Sequence, residues 1–229
     1  MPADVAKPLI VSDARKLKAL AERNLPLATE LCRMLMFHNM LMSLNRMYAA
    51  LLKQNESEQY QQELVEGDRA AHYFLTIGVL KEALDAFHEF NGHRWISQQK
   101  SLQRDSEFQR IRANLIETVD KDNPNSFYCR YIRPTRDDAV FHLDRNIVQQ
   151  SLEQLASKTE DGQLPKLLVG YSSKARDFRF PIGDQLWLHL PPWNPNSQEE
   201  MEKVAEKVAE VSRDFCHFTA RLVHHMLVE

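Results

Sequence analysis

The sequence predicts a mostly α protein, an antiparallel helical bundle with a small β-hairpin inserted before the C-terminal helix. Apolar residues recur at three- and four-residue spacing over several long stretches, which is the period of helices packed on one side. Glycine is scarce, with 6 in 229 residues, and no G-x-G-x-x-G or Walker sequence occurs. Since 43% of the residues are hydrophobic, one sizeable core is available, and we expect a single domain over residues 1–229.

Charge and cysteine content narrow the class of protein further. The formal net charge of -3 argues against a chain that is basic throughout, so any phosphate site must be local. Cys32, Cys129 and Cys216 are odd in number and far apart, which favours free thiols in a reducing cytoplasm. The N-terminus has no long apolar run, so we expect neither a signal peptide nor a membrane span.

The first half of the chain predicts two long helices after a loose tail over residues 1–11. Ser12 caps a short helix that ends near Asn24, and a methionine-rich helix follows over residues 27–54. Methionines form either an adaptable binding face or part of a core, and we expect core packing. The five concerned are Met34, Met36, Met40, Met42 and Met47.

The second long helix is predicted over residues 66–90 and ends at Asn91-Gly92, a typical C-terminal stop. Its inward stripe is Tyr73, Ile77, Leu80, Leu84 and Phe87. Asp85 and His88 have the spacing of a metal-binding pair, but one pair falls short of a site, and a plain surface pair is the simpler interpretation. Glu82 is a candidate to orient or neutralise an arginine of a neighbouring helix, Arg136.

A less regular helical region is predicted over residues 93–119, followed by a loop over residues 120–134. From Arg94 to Arg136 there are nine lysines and arginines against five aspartates and glutamates, a local charge of +4. A basic stretch of this kind suits an RNA-binding groove or, more simply, a solvated helix face. Arg130, Tyr131 and Arg133 are candidate nucleic-acid contacts, with a tyrosine to stack on bases or to anchor the loop.

The stretch that carries candidate chemistry follows this loop. Pro134 disfavours a helix arriving from upstream, and Thr135 is placed to cap a helix over residues 136–156. Arg136 then lies at a helix N-terminus, which attracts anions, and His142 lies about 9 Å further along the axis. A permanent cation and an imidazole that titrates near neutrality are the groups needed to hold a phosphate and move a proton. The structural alternative for Arg136 is an ion pair with Asp137, Asp138 or a neighbouring glutamate. The alternative for His142 is a partly buried histidine that donates to a carbonyl.

The last part of the chain changes character. Residues 158–196 contain eight prolines and glycines among short alternating runs, which predicts a β-hairpin or irregular insert that packs on the bundle. A C-terminal helix follows over residues 197–228, with a seam of Met201, Val204, Val208, Val211, Phe215, Phe218 and Leu222. His217 and His224 share one face of it, without the partners that a metal site needs.

Arg136, the polar Asp137 and, after five intervening residues, His142 resemble the signature of HEPN domains. These are all-α domains, many of them metal-independent ribonucleases, and the general likeness extends over residues 25–157. The resemblance implies a homodimer that cleaves RNA by attack of the 2′-hydroxyl on the adjacent phosphate. His142 would be the general acid or base, and Arg136 would stabilise phosphoryl charge. Asp137, found where asparagine is usual, would orient the arginine or the backbone.

Three hypotheses about function remain open from the sequence. The first is this endoribonuclease, with RNA as partner and neither cofactor nor metal. The second is a non-catalytic helical module that binds RNA or another protein. The third is a metal-dependent enzyme built on Asp85, His88 and distant histidines.

Overall fold

The computed structural model describes residues 14–51, 59–140, 149 and 198–228. Every regular element within these residues is helical and none is a strand, so the predicted mostly α fold is confirmed there. The segment predicted as a β-hairpin, residues 158–196, lies outside the described residues and gains no support. The predicted tail over residues 1–11 and nearly all of residues 141–156 also lie outside them.

The first two helices meet at the predicted break. Helix α1 (Ala14–Arg23) ends one residue before Asn24, and α2 (Leu25–Leu51) begins one residue after it. The Asn24 side chain accepts a hydrogen bond of 3.2 Å from the backbone N–H of Leu27, and so caps α2. Pro26 is tolerated because N–H groups in the first turn have no partner within the helix.

Helix α3 (Gln59–Asn91) packs along α2 in the antiparallel direction. Arg33 near the start of α2 pairs with Glu89 near the end of α3 at 2.9 Å, whereas His72 Nε2 lies 2.6 Å from the carbonyl oxygen of Leu44. The predicted stripe of α3 faces inward, with Tyr73 only half-buried; its fully buried members are Ile77, Leu80, Leu84 and Phe87. This pair of helices forms one side of the core.

The predicted irregular region consists of three short helices, α4 (Trp95–Gln98), α5 (Lys100–Arg104) and α6 (Ser106–Thr118). Gln99 and Asp105 are extended and separate them. The Asp105 carboxylate accepts a bond of 2.9 Å from the backbone N–H of Phe108 and thereby caps α6. The second Asp105 oxygen lies 2.7 Å from Arg221 Nη1 and 3.3 Å from His225 Nε2, which ties α6 to the C-terminal helix.

The C-terminal helix α8 (Gln198–Val223, continued by a π-helical turn over His224–Val228) runs antiparallel to α6. Its Phe218 ring stacks on Phe108 of α6 at 4.8 Å between ring centroids and meets Phe87 of α3 edge-on at 5.0 Å. Where the burial of its side chains is described, the predicted seam is confirmed; the buried members are Val204, Val208, Val211, Phe215, Phe218 and Leu222. These contacts join α3, α6 and α8 in one core.

The prediction of core packing is wrong for most methionines of α2. Met34 is fully buried, but Met36, Met40 and Met47 are 65%, 45% and 56% exposed. Met42 is 37% exposed. The side of α2 that meets α3 and α8 is already filled, by Leu27, Leu31, Met34, Leu41 and Leu44. The remaining methionines therefore face away from the core.

Helix α7 (residues 127–140) contains two π-helical segments, Tyr128–Ile132 and Thr135–Val140, on either side of Arg133 and Pro134. The prediction of a loop up to residue 134 is therefore wrong for residues 127–134. In an α-helix the proline ring would clash with the carbonyl four residues back. Here the backbone N–H of Arg133 bonds to the carbonyl of Tyr128, five residues back, and this wider turn accommodates Pro134.

None of the described helices combines the length and the apolar content that crossing a bilayer requires.

Candidate nucleic-acid interface

Arg136 lies in the second half of α7, where it faces α3. Its Nη2 atom is 3.0 Å from Glu82 Oε1, and its Nη1 atom donates to Asp137 Oδ1 at 3.0 Å. The Glu82 contact proposed from the sequence is thus present, as is the Asp137 pairing given as a structural alternative. The Arg136 side chain is 28% exposed, so it remains partly accessible to solvent.

The position of Arg136 within α7 corrects one expectation. Thr135 does not cap a helix, because the chain is already helical from residue 127. The Thr135 side chain is fully buried, and its hydroxyl donates to the carbonyl of Tyr131. Arg136 is therefore not at a helix N-terminus, and the attraction for anions expected from a helix dipole does not apply to it.

A network of charged side chains surrounds this arginine. Asp137 also approaches Arg133, with 3.7 Å between Oδ2 and Nε, and Glu82 lies 3.3 Å from Lys81 Nζ. Lys81 in turn contacts Asp85 at 2.9 Å, one helical turn further along α3. Among the described side chains, the cations of this network outnumber its carboxylates by one; they are Lys81, Lys121, Arg133 and Arg136 with Glu82, Asp85 and Asp137.

Asp85 is the point at which α7 is fastened to α3. Its Oδ1 atom lies 2.6 Å from Lys121 Nζ and accepts a bond of 2.7 Å from the hydroxyl of Tyr128. Burial alone would raise the pKa of Asp85, but the hydrogen bonds from Lys121, Lys81 and Tyr128 outweigh it, and the pKa lies below its ordinary value. Burial, together with the bond to Asp85, raises the pKa of Tyr128, so the hydroxyl keeps its proton and donates.

Neither lysine of this network, Lys81 or Lys121, was predicted from the sequence to belong to the site. The spacing of Lys81 and Asp85, four residues apart on one helix, is a signal that identifies such a pair. Burial would lower the pKa of Lys81, but its contacts with Asp85 and Glu82 raise it further than burial lowers it, so this cation is retained. Lys121 lies in the connection between α6 and α7, and no local pattern links it to Asp85.

The three predicted nucleic-acid contacts lie together on α7. The side chain of Arg133 is 61% exposed, and Arg130 is exposed as well. The Arg130 guanidinium carbon lies 5.0 Å from the ring centroid of Tyr131, and that ring also packs against Phe127 at 5.4 Å. Tyr131 is thus held by neighbours, and its role as a base-stacking residue stays a prediction. Tyr128, by contrast, is buried and anchors α7.

His142, the predicted general acid or base, lies outside the described residues. The structure therefore gives the environment of Arg136 and Asp137 but not their distance from the imidazole. Convergence of the arginine and the histidine on one pocket stays a prediction.

In the candidate metal pair of Asp85 and His88, the carboxylate already forms ion pairs with other side chains. Both oxygens of Asp85 are in contact with lysines, while His88 is exposed. Within the described part of the chain, no group of three or more histidine, cysteine or acidic side chains is close enough together to hold a metal ion.

A polar depression of about 240 Å³ lies between α6, the start of α7 and α8. Glu117, Asn123 and Lys207 are among its lining residues, and none of the predicted site residues lines it. Lys207 is paired within α8 with Glu210 at 3.0 Å.

Comparison of the sequence with protein-family models and with curated proteins, and of the fold with solved structures, found no match. The likeness to HEPN domains therefore depends on the motif around Arg136 alone.

Proposed function

We propose that this protein is a helical RNA-binding protein whose contact surface is the exposed side of α7. The observation that carries the proposal is the exposure of the Arg133 side chain, 61%, beside the exposed Arg130. Arginine presents planar N–H groups that match phosphate oxygens, and these two are three residues apart in sequence. Arg136 contributes less to an incoming phosphate, because Glu82 and Asp137 already neutralise it.

The charge balance of the site predicts weak binding that depends on salt. Asp137 offsets part of the positive potential of Arg133, and the described side chains of the surrounding network carry a net charge of +1. Two phosphate contacts to single-stranded RNA correspond to a slope of about -1.4 in log K against log salt. Raising the salt concentration fourfold should therefore weaken binding about sevenfold.

Fluorescence anisotropy with a labelled single-stranded RNA tests the proposal. The double substitution Arg130→Ala/Arg133→Ala should weaken binding about tenfold and flatten the salt dependence. The matched control is Arg23→Ala/Arg213→Ala, which removes the same charge from exposed positions on α1 and α8. Equal losses in the two double variants would mean that only net charge matters, and the proposed surface would be abandoned.

A second candidate function is RNA cleavage at the same place, and the anchoring of Arg136 favours it. Glu82 and Asp137 hold the Arg136 guanidinium at two points while the side chain as a whole stays 28% exposed. A group that stabilises phosphoryl charge must be oriented in this way. In the reaction implied by the HEPN resemblance, the 2′-hydroxyl oxygen attacks phosphorus and the bond to the 5′-oxygen breaks. A base takes the proton of the 2′-hydroxyl and an acid returns one to the leaving oxygen, and these are roles for His142.

Cleavage assays in the presence of a chelator separate the two functions. An endoribonuclease should yield 2′,3′-cyclic phosphate and 5′-hydroxyl ends, and His142→Ala should reduce the rate about 10²–10⁴-fold with little change in binding. Glu82→Gln, which keeps the side-chain size but removes its charge, should lower the rate by loosening Arg136. If the parent protein binds RNA and does not cut it, binding alone is its function at this site.

A further inference from the structure

The polar depression of about 240 Å³ between α6, the start of α7 and α8 adjoins the proposed RNA-contact surface. Phe127 lines the depression and is also the first residue of α7. The ring centroids of Phe127 and Tyr131 are 5.4 Å apart, and the Arg130 guanidinium carbon lies 5.0 Å from the Tyr131 centroid. Two ring contacts therefore separate a cation proposed to hold phosphate from the depression.

The charge of the depression disfavours a phosphate. Among the described residues that line it, two glutamates, Glu117 and Glu210, outnumber one lysine, Lys207, and the rest are uncharged. A phosphate would meet a net negative charge there, whereas a neutral base would not. The volume is smaller than that of pockets for drug-sized ligands and suits a single ring system. The depression thus complements the arginines of α7, which attract phosphates.

Glu117 provides a hydrogen-bond acceptor without a partner. It is exposed and, within the described part of the chain, forms no ion pair or hydrogen bond through its side chain. Lys207 in the same lining is held by Glu210 at 3.0 Å. Lys121, four residues further along the chain, is held by Asp85 at 2.6 Å. An ionised carboxylate in this position offers two acceptor oxygens to a ligand.

Hydrogen-bond donors line the same depression. The Asn123 side-chain oxygen accepts a bond of 2.9 Å from the backbone N–H of Asn125, which leaves the NH₂ group of Asn123 to donate. An ammonium group has more than one N–H, so Lys207 can donate to a ligand while it contacts Glu210. The lining therefore combines a carboxylate acceptor with an amide and an ammonium donor.

We propose that this depression binds an unpaired guanine base of the RNA, an inference that rests on the proposed RNA binding by α7. The Watson–Crick edge of guanine presents two adjacent donors, N1–H and the N2 amino group, and then an acceptor, O6. The Glu117 carboxylate accepts from both donors, and Asn123 or Lys207 donates to O6. Uracil has one donor between two acceptors, and adenine and cytosine have an acceptor beside their amino group. Each of these bases would set an acceptor against the carboxylate.

Fluorescence anisotropy with three labelled strands of about ten nucleotides tests the proposal. The strands are an oligouridine and the same oligouridine with one central guanosine or one central inosine. The guanosine should tighten binding at least about tenfold, which is the discrimination that a good two-point contact gives. Inosine lacks the N2 amino group and should lose most of this gain.

Two variants locate the preference. Glu117→Gln replaces one acceptor oxygen by an NH₂ group, which opposes the donors of guanine, so the two strands should bind within about twofold of each other. The matched control is Glu206→Gln, which removes the same charge from an exposed position on α8 outside the depression. It should keep the preference for guanosine. The ratio of the two dissociation constants cancels the general effect of the lost charge on RNA binding.

Guanosine, which carries no phosphate, separates this inference from RNA binding by α7. In saturation-transfer difference NMR at equal concentrations, the parent protein should transfer signal to guanosine and not to uridine. Glu117→Gln should abolish this transfer, and Glu206→Gln should retain it.

Equal affinity for the oligouridine and the guanosine-containing strand, with binding that still depends on Arg130 and Arg133, would overturn the guanine site and leave the proposed function intact. Equal losses of preference in Glu117→Gln and Glu206→Gln would also overturn it. If no strand binds, the proposed function fails, and the site in RNA fails with it. Guanosine binding that depends on Glu117 would in that case assign the depression to a free guanine nucleoside.

Discussion

Replacing Asp85 by alanine should loosen the whole attachment of α7 to α3. The Asp85 carboxylate accepts a hydrogen bond of 2.7 Å from the Tyr128 hydroxyl. It also forms ion pairs with Lys81 at 2.9 Å and with Lys121 at 2.6 Å. The Asp85 side chain is 13% exposed and that of Lys81 is 16% exposed. Asp85→Ala leaves two cations and a hydroxyl without their shared acceptor, and two of these three groups are largely removed from water.

The expected loss follows from the burial of these groups. Removing one partner from a buried ion pair costs about 3–5 kcal/mol. Lys121 is 35% exposed, so solvent screens its share, and we expect a loss of about 2–3 kcal/mol in the free energy of unfolding. Tyr128→Phe removes only the hydroxyl that donates to the carboxylate and should cost about 1.5 kcal/mol. Combined with Asp85→Ala, it should cost less than it does alone, because its partner is already gone.

Urea unfolding followed by circular dichroism measures these differences, with Asp122→Ala as the control. Asp122 lies in the same connection as Lys121 and is exposed, so its removal should change stability by no more than about 0.5 kcal/mol. If Asp85→Ala costs no more than Asp122→Ala, the network does not hold α7, and the reasoning from its contacts is refuted.

Three further predictions concern the same core and its attachments. Because the pKa of Asp85 lies below its ordinary value, the charged carboxylate stabilises the fold above the unfolded pKa, about 3.9. The difference in Tm between the parent and Asp85→Asn should therefore be constant above about pH 5 and shrink as the pH falls through the pKa of Asp85 in the folded protein. A difference in Tm that grows in acid would contradict the lowered pKa. Phe218→Ala, which removes the ring between Phe108 and Phe87, should cost about 3–5 kcal/mol in urea unfolding, and a loss below about 1 kcal/mol would show that the core repacks. Asp105→Ala removes the cap of α6 and the partner of Arg221, and should lower the free energy of unfolding by about 1–2 kcal/mol. Asp105→Asn should recover part of this loss, because its side-chain oxygen can still cap α6. Equal losses for the two variants would count against capping.

The helices were predictable where apolar spacing alone decides burial. The seam of α8 and the stripe of α3 follow the helical period, and a helix with one apolar side has one way to bury it. The methionines of α2 show the limit of this reasoning. That helix is apolar on several sides, so the sequence does not tell which side faces α3 and α8.

Helix α7 shows why the candidate site was predicted only in part. The rule that proline ends a helix was overridden by a wider turn, which is supported by contacts between Tyr128 and Asp85, far apart in sequence. Glu82 was singled out as a partner of Arg136 by its charge, and the two side chains do meet. Lys121 had no such local signal, because only the packing of the connection after α6 brings it to Asp85.

Ultraviolet crosslinking of the parent protein to single-stranded RNA, followed by mass spectrometry of the crosslinked peptides, tests RNA contact at α7 most directly. At low salt, crosslinked peptides should come from residues 127–140, and their yield should fall in Arg130→Ala/Arg133→Ala but not in Arg23→Ala/Arg213→Ala. Crosslinks confined to other segments, or none at low salt, would contradict RNA binding by α7.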